Sequence, residues 1–300
     1  MAEQPINIPD QSYDESPHHV SEFRRIIRVM ATRKVVIVGA FIIAIMVLVA
    51  IFAPLIAPYD PYKTNLKQSL QSVSSTHLLG TDALGRDTFS RIIYGSRTSL
   101  MVGIVSIFIA SAIGMTLGLI AGYYGGILGA IIMRFIDALM AFPMILLAMV
   151  IASLLGGGIT SVIIAIGITL TATYTRLMCG QVLSVKENDY ITASRSIGAG
   201  NILIIFRHVF PNCLSPMIVL VTMQLGSAIL VEAGLSFLGI GIAPPGASWG
   251  SMVNDGYKYL LDLPILSFAP GIAIMLIVFA FNMVGDGLRD ALDPRLRGTI

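Results

Sequence analysis

The chain has 300 residues, of which 55% are hydrophobic and 12% are charged, and its mean hydropathy is +0.83. A soluble domain carries about twice that charged fraction, so the composition predicts an integral membrane protein surrounded by lipid. The net charge is only +2, and no cluster of Lys and Arg alternates with aromatic residues, which argues against a nucleic-acid partner.

Six apolar segments are long enough to cross a bilayer, because a hydrocarbon core about 30 Å thick needs about 20 helical residues. In chain order they are residues 35–57, 98–122, 134–155, 158–177, 212–232 and 264–285. Lipid offers no other partner to backbone polar groups, so each segment is predicted to be helical. The predicted fold class is an all-α membrane protein with six transmembrane helices.

The same pattern divides the chain into four regions. They are a tail at 1–33, a first transmembrane helix with an outer loop at 34–97, a core of five transmembrane helices at 98–287, and a second tail at 288–300. Of the 19 Lys and Arg residues, thirteen fall on one side of this topology and six on the other. The positive-inside rule therefore favours both termini in the cytoplasm.

Small residues recur on one face of the second segment. Ala110, Gly114, Gly118 and Gly122 follow one another at a spacing of four, which allows another helix to approach closely. That helix belongs either to this chain or to a second membrane subunit. The two cysteines, Cys179 and Cys213, are far apart and offer no disulfide framework or CxxC metal site, so we expect both to be packing residues.

Three residues at membrane depth are candidates for a translocation path. Asp137 lies three residues after Arg134, and the two side chains either pair at the interface or serve the path. Glu232 ends the fifth segment, where its carboxylate lines an aqueous path or lies among head groups. Pro143 interrupts the third segment and Pro270 the sixth, as a gate or as ordinary architecture.

Several catalytic signatures are missing from the sequence. It contains no GxxxxGK[ST] phosphate loop, no HExxH metal motif and no GxSxG elbow. His18 and His19 are expected to be solvated. The chain is therefore predicted not to be an enzyme and to bind neither a metal nor a cofactor.

A polar, basic segment separates the fourth and fifth apolar segments. Residues 184–211 are predicted to form a short helix over about 190–197 that ends at Gly198, and a second helical piece with Pro211 at the start of the next span. Under the charge rule this loop faces the cytoplasm.

The loop resembles the EAA loop of permease subunits in bacterial ABC importers. That pattern is Glu-Ala-Ala, three further residues, Gly, and a Pro thirteen residues later; Thr192, Ala193 and Ser194 occupy the first three positions here, and Gly198 and Pro211 keep the spacing. The resemblance implies a coupling helix docked into an ATP-binding subunit. The residues expected to serve this coupling are Tyr190, Thr192, Ala193, Ser194, Gly198, Arg207 and Pro211.

Three further stretches resemble the second permease subunit of dipeptide and oligopeptide importers. They are "HLLGTDALGRDTFSRIIYGSRTSL" (77–100), "LVEAGLSFLGIGIAPPGASWGSM" (230–252) and "FNMVGDGLRDALDPRLR" (281–297). The outer-loop residues Arg86, Asp87 and Trp249 fall within them. The resemblance implies that the long outer loop with its basic residues is a surface near an external binding protein, and that Trp249 belongs to the outer loop before the sixth span. A plain structural alternative is that Asp82, Arg86 and Asp87 pair locally and hold the loop.

The resemblance implies a type I ABC importer (MetI-like) permease fold in the bacterial cytoplasmic (inner) membrane. The partners it implies are a homologous second permease, two ATP-binding subunits that hold ATP and Mg²⁺, and an extracytoplasmic substrate-binding protein. ATP would drive alternating access to a path for di- or oligopeptides.

The sequence alone leaves other substrates and other functions open. The same family also handles nickel or metal chelates, glutathione and opines. A secondary transporter, a channel or a membrane assembly protein would need no ATPase. No convincing internal repeat of the kind found in secondary transporters relates the two halves.

Overall fold

The computed structural model describes residues 22–292, and this part of the chain is built from helices joined by turns and loops. A 3₁₀ turn at Leu66–Gln68 and a π-helical turn at Ile205–Val209 accompany the α-helices. In chain order these are α1 (Glu22–Thr32), α2 (Lys34–Ile51), α3 (Ala53–Ile56), α4 (Thr88–Tyr124), α5 (Gly126–Met140), α6 (Met144–Leu154), α7 (Gly158–Lys186), α8 (Asp189–Ser196), α9 (Asn201–Ile204), α10 (Phe210–Phe237), α11 (Trp249–Tyr257) and α12 (Ile265–Leu292).

Five helices in the described part are long and apolar enough to cross a membrane, and a bent pair makes a sixth span. They are α2, α4, α7, the continuous run Asn201–Phe237 and α12, with α5 and α6 as the pair. The all-helical class and the apolar spans agree with the sequence-based prediction.

The third predicted span is not one helix. α5 and α6 meet at an angle of 94° around Pro143, which precedes the first residue of α6. Proline has no N–H to donate and disfavours helical geometry in the residue before it, so the interruption predicted at Pro143 is confirmed and is a sharp bend between two helices. Pro270, by contrast, lies inside an unbroken α12.

The fifth predicted span begins earlier than expected. The chain is helical from Asn201 to Phe237, and Pro211 falls within the first turn of α10. The π-helical turn ends at Val209, two residues before this proline, and accommodates its missing donor without a break. The predicted second short helix of the loop is therefore continuous with the span.

α4 is longer than the predicted second span. It starts at Thr88 rather than 98, because the Asp87 carboxylate caps it by accepting hydrogen bonds from the Ser90 backbone N–H at 2.8 Å and hydroxyl at 2.7 Å. Its 37 residues measure about 55 Å, so α4 projects well beyond a bilayer. Residues 88–97 belong to this helix and not to the predicted loop.

The small-residue face of α4 packs against α7. A Cβ on Gly114 would lie 2.8 Å from the Thr171 carbonyl oxygen, and one on Gly118 would lie 2.5 Å from that of Thr175. The predicted seam is thus a contact within this chain, and it places the two helices nearly backbone to backbone. Cys179 and Cys213 are buried and free, as predicted.

The predicted tails are only partly described. α1 occupies most of 22–33, and α12 runs through residue 292. Arg33, which directly precedes α2, forms an ion pair at 2.5 Å with Asp290 of α12. His18, His19 and residues 293–300 lie outside the described residues.

Candidate functional site

The bundle has two ends, which we name by what they carry. The loop end holds Tyr124, Lys186 and the loop 184–211; the cap end holds residues 58–87 and 238–264. α4 and α7 run in parallel from the cap end to the loop end, because Gly114 lies against Tyr174 and Gly122 lies against Val182.

The loop at the loop end contains the short helix that the sequence predicts. α8 spans Asp189–Ser196 and stops at Gly198, whose φ of +84° is the left-handed geometry that favours glycine. The Gly198 N–H donates to the Arg195 carbonyl at 2.9 Å and closes the last turn. The predicted helix and its glycine stop are confirmed.

The inner side of this loop is fastened to the bundle. Ile191 of α8 is fully buried in the main apolar core. The Tyr123 hydroxyl donates to Asn201 Oδ1 at 2.9 Å, and Arg195 lies over the Tyr123 ring at 5.6 Å. The Lys186 ammonium donates to the Gly122 carbonyl at 3.1 Å. A displacement of α8 would therefore pull directly on α4 and α7.

The outer side of the loop is an exposed apolar surface. Ile197 is 86% exposed, and Ile202 and Phe206 are also largely exposed. Among the predicted coupling residues, Tyr190, Thr192, Ala193, Gly198, Arg207 and Pro211 are exposed as well. Ser194 is half-buried, and its hydroxyl donates to the Tyr190 carbonyl at 2.7 Å. Ile197 lies between α8 and the span that begins at Asn201, and a large apolar group exposed in such a connection is typical of a protein contact.

The cap end is held by buried charged groups. The Arg86 guanidinium donates from Nε to Asp82 at 2.6 Å, and Arg91 Nε lies 3.6 Å from the same carboxylate. Asp87 shares a 2.8 Å hydrogen bond with His77, and both side chains are buried. Local pairing is thus confirmed for Arg86 and Asp82, whereas Asp87 bonds to His77 and caps α4.

Trp249 lies in the connection between α10 and α12, where the sequence predicts an outer loop. It opens α11, is buried, and its indole N–H donates to the Ile92 carbonyl at 3.0 Å. Gly95 faces the ring, since a Cβ there would lie 2.9 Å from the indole. This contact fixes α11 against the cap-end part of α4.

Glu232 lies neither on an open path nor among head groups in this structure. Its side chain is completely buried, and its carboxylate accepts hydrogen bonds from the hydroxyls of Ser99 at 2.9 Å and Ser236 at 2.8 Å. Buried carboxylates require such partners. Glu232 therefore joins α10 to α4, and the two predicted surroundings for it differ from the observed one.

Asp137 has a different partner from the predicted one. Its carboxylate accepts a hydrogen bond from Arg176 of α7, whereas Arg134 forms no ion pair within the described residues. About half of each side chain in the Asp137–Arg176 pair is exposed. Pro143 lies six residues after Asp137, at the break between α5 and α6.

Sequence reasoning missed Arg176, His77 and Ser99 as site residues. Arg176 had a usable signal, since it is an ionisable residue within the apolar segment 158–177. Among the described residues, no cluster of three or more His, Cys, Asp or Glu side chains is arranged to hold a metal ion.

The fold resembles that of a solved importer. The chain superposes on a structure titled as inward-facing conformations of the MetNI methionine ABC transporter, with a TM-score of 0.54 and 17% identity, over 68% of this chain and 96% of that one. Because the identity is only 17%, this likeness shows that the two chains share a fold.

Sequence comparisons define the family. Residues 114–298 match the family described as "Binding-protein-dependent transport system inner membrane component", and residues 21–72 match the "N-terminal TM domain of oligopeptide transport permease C". The dipeptide transport system permease protein DppC of Alkalihalophilus pseudofirmus is 44% identical over 93% of this chain and 91% of its own.

Further relatives cover the chain to a similar extent. The glutathione transport system permease protein GsiD of Escherichia coli O6:K15:H31 is 42% identical over 98% of this chain and 95% of its own. A putative peptide transport system permease protein of Brucella suis is 42% identical over 87% of this chain and 88% of its own. The chain therefore belongs to the family of inner membrane components of binding-protein-dependent transport systems.

Proposed function

We propose that this chain is the transmembrane subunit of an ATP-driven importer of di- or oligopeptides and forms half of its translocation path. The observation that carries the proposal is the loop 184–211, which is braced to α4 and α7 on one side and presents exposed apolar residues on the other. Such an element transmits movement once a partner outside the membrane holds it.

The proposed partners follow from the role of this chain as the membrane subunit that moves when a partner holds its loop. Two ATP-binding subunits hold ATP and Mg²⁺ and dock at the loop end, so this chain itself binds no cofactor and hydrolyses no ATP. A homologous permease supplies the other half of the path, and an extracytoplasmic protein delivers substrate at the cap end. The excess of basic residues at the loop end supports its cytoplasmic orientation, with both termini inside the inner membrane.

The coupling works through rigid packing. The α4–α7 seam leaves no space for a Cβ, so the two helices move as one body with α8. ATP shifts the path between inward-facing and outward-facing states only to the extent that it binds better to the complex in one of them. The permease supplies the moving parts, and the partner ATPases supply the differential affinity.

Glutathione is a second candidate substrate. The observation that favours it is the 42% identity to a permease named for glutathione transport, over nearly the whole of both chains. Glutathione is itself a small peptide, so both candidates bring amide bonds, an ammonium group and a carboxylate into the path.

Uptake in cells tests the proposal. A strain that lacks this gene should lose accumulation of a labelled dipeptide or of labelled glutathione, and the intact gene should restore it. Inactivating the phosphate-binding lysine of the partner ATPases should abolish the same uptake. Uptake that survives without the ATPases would indicate a secondary transporter, and uptake of nickel chelates alone would refute the peptide assignment.

A further inference from the structure

α1 directly precedes the first membrane span and has two unlike faces. Its sequence is EFRRIIRVMAT, and the chain leaves it through the extended Arg33 before α2 begins at Lys34. Apolar residues recur at the helical spacing i, i+3, i+4 and i+7, and they are Phe23, Ile26, Ile27 and Met30. The arginines at 24, 25 and 28 fall outside this apolar stripe. A basic helix of this pattern is typical of segments that lie at a membrane surface.

The length of α2 places α1 at the membrane surface of the loop end. α2 is followed by α3 and then by the cap-end residues 58–87, so its first residue, Lys34, lies at the loop end. The 18 residues of α2 measure about 27 Å, close to the roughly 30 Å of a hydrocarbon core. α2 therefore needs its whole length to cross the membrane, and Lys34 lies near the boundary. α1 ends two residues earlier, at Thr32.

The described part of the bundle covers one side of α1. Val29 and Met30 are half-buried, and α1 packs against α12. Ile27 is 51% exposed, although it belongs to the apolar stripe. Ile27 and Val29 are two residues apart and therefore point in directions about 160° apart around the helix axis. The uncovered part of the apolar stripe thus faces away from the bundle.

Lipid adjoins this uncovered side. Only 17% of the residues of α2 are buried in the described structure, so α2 lies at the periphery of the bundle. Val38 and Phe41 of α2 are exposed apolar residues that acyl chains cover. Because α1 begins this span, the exposed Ile27 meets the same acyl chains at their boundary with the head groups.

Positive charge is concentrated at the same place. Residues 22–34 contain one acidic residue, Glu22, and five basic ones, namely Arg24, Arg25, Arg28, Arg33 and Lys34. Arg28 is exposed. Basic clusters beside a membrane span attract anionic lipids, and each Lys or Arg strengthens the attraction about fivefold. Guanidinium groups also donate paired hydrogen bonds to phosphate oxygens.

We propose that α1 binds the anionic phospholipid head groups of the membrane leaflet at the loop end. Ile27 and the rest of the apolar stripe contact the acyl chains, and the arginines contact the phosphate groups. Arg33 pairs with Asp290 of α12, so head-group binding also holds the end of α12 at the membrane surface. Lipid binding by α1 does not depend on peptide import.

The test measures which lipid surrounds Ile27 in the complete complex of both permeases and the ATPases. Ile27→Cys carries a bimane fluorophore in a chain whose Cys179 and Cys213 are replaced by alanine, and the partner subunits are free of cysteine. The complex is placed in phosphatidylcholine nanodiscs with a trace of lipid that carries a nitroxide quencher on its acyl chain. This labelled lipid is phosphatidylglycerol in one sample and phosphatidylcholine in the other.

Anionic lipid should be enriched around the fluorophore. At low salt, labelled phosphatidylglycerol should quench it about fivefold more than labelled phosphatidylcholine does. Salt screens exposed charges, so this ratio should fall toward one at about 0.5 M salt. The combined variant Arg24→Gln, Arg25→Gln and Arg28→Gln should also bring the ratio near one.

A matched control removes the same amount of charge from the cap end. Lys63→Gln, Lys67→Gln and Arg97→Gln together remove three exposed positive charges and should leave the ratio as in the wild type. An equal drop in this control would overturn the inference, because the net charge of the protein and not α1 would then attract the lipid.

Three other results would also overturn it. Absence of quenching by either lipid would place Ile27 away from the membrane. Equal quenching by both lipids at low salt would show that α1 has no preference for anionic head groups. Quenching that appears only after removal of the ATPases would show that these subunits cover α1. The readout does not use transport, so each of these results would leave the proposed import function standing.

Discussion

Glu232 accepts a 2.9 Å hydrogen bond from the Ser99 hydroxyl across 133 residues of sequence. The carboxylate also bonds to Ser236 one turn later on its own helix. A fully buried acidic group with two hydroxyl donors thus connects α10 to α4 in the half of the bundle nearer the cap end.

This connection predicts a stability defect in Glu232→Ala. Removing the carboxylate leaves the hydroxyl groups of Ser99 and Ser236 without an acceptor and opens a cavity, so we expect a loss of about 3 kcal/mol. Thermal unfolding of the purified permease pair, followed by tryptophan fluorescence, measures it. Glu232→Gln keeps an acceptor of the same shape and should lose about 1 kcal/mol. Equal thermal unfolding midpoints for Glu232→Ala and the wild type would contradict a stabilising link between α10 and α4 through Glu232.

The α4–α7 seam predicts that Gly118→Val prevents correct packing. A Cβ on Gly118 would lie 2.5 Å from the Thr175 carbonyl, and backbone cannot yield as a flexible side chain does. Forced separation of the helices should destabilise the protein by about 3 kcal/mol or more. Size-exclusion profiles of the detergent-solubilised protein should show aggregation.

Gly180→Val is the matched control for the seam. Gly180 lies on α7, and a Cβ there meets no atom within 4 Å. Valine also favours a helix more than glycine does, so this variant should be as stable as the wild type or slightly more so. If the size-exclusion profile of Gly118→Val matches that of Gly180→Val, the close packing of α4 against α7 at Gly118 would be contradicted.

Local features of the sequence predicted the fold well. Hydropathy located the spans, the spacing of Gly114, Gly118 and Gly122 predicted a close helix contact, and Gly198 predicted the end of α8. Each signal is local, because helix ends and helix faces depend on residues within a few positions of one another.

The partners of the charged residues could not be predicted in this way. Arg134 was the obvious candidate for Asp137 from sequence, but the actual partner, Arg176, is 39 residues away. Ser99 is still farther from Glu232. Such pairings depend on which helices become neighbours, and a single sequence shows the faces of helices without showing their neighbours.

The orientation of the loop end predicts selective labelling of Ile197→Cys. The side chain is 86% exposed, and Cys179 and Cys213 are buried and can be replaced by alanine. A membrane-impermeant maleimide should label this cysteine in inside-out vesicles and not in intact cells. Docked ATPase subunits should reduce the labelling. Efficient labelling of intact cells would place the loop outside and refute the proposed topology.

Gly198→Pro should separate insertion from transport. The φ of Gly198 is +84°, whereas proline requires about −65°, and proline also removes the N–H that donates to the Arg195 carbonyl at 2.9 Å. The end of α8 must then change shape, while the spans that insert the protein into the membrane are untouched. We expect normal amounts of protein in the membrane but peptide uptake lowered about tenfold or more, with ATP hydrolysis no longer stimulated by the loaded binding protein.

Gly200→Ala is the matched control for this loop. Gly200 has an ordinary φ of −67°, and a Cβ there meets no atom within 4 Å, so alanine fits without strain. Uptake by Gly200→Ala should equal that of the wild type. If Gly198→Pro also transports normally, the shape of the loop does not matter for coupling, and the role proposed for residues 184–211 is wrong. If both variants lose uptake, the loop tolerates no added atoms, and its exposed surface rather than the left-handed turn carries the contact with the ATPase.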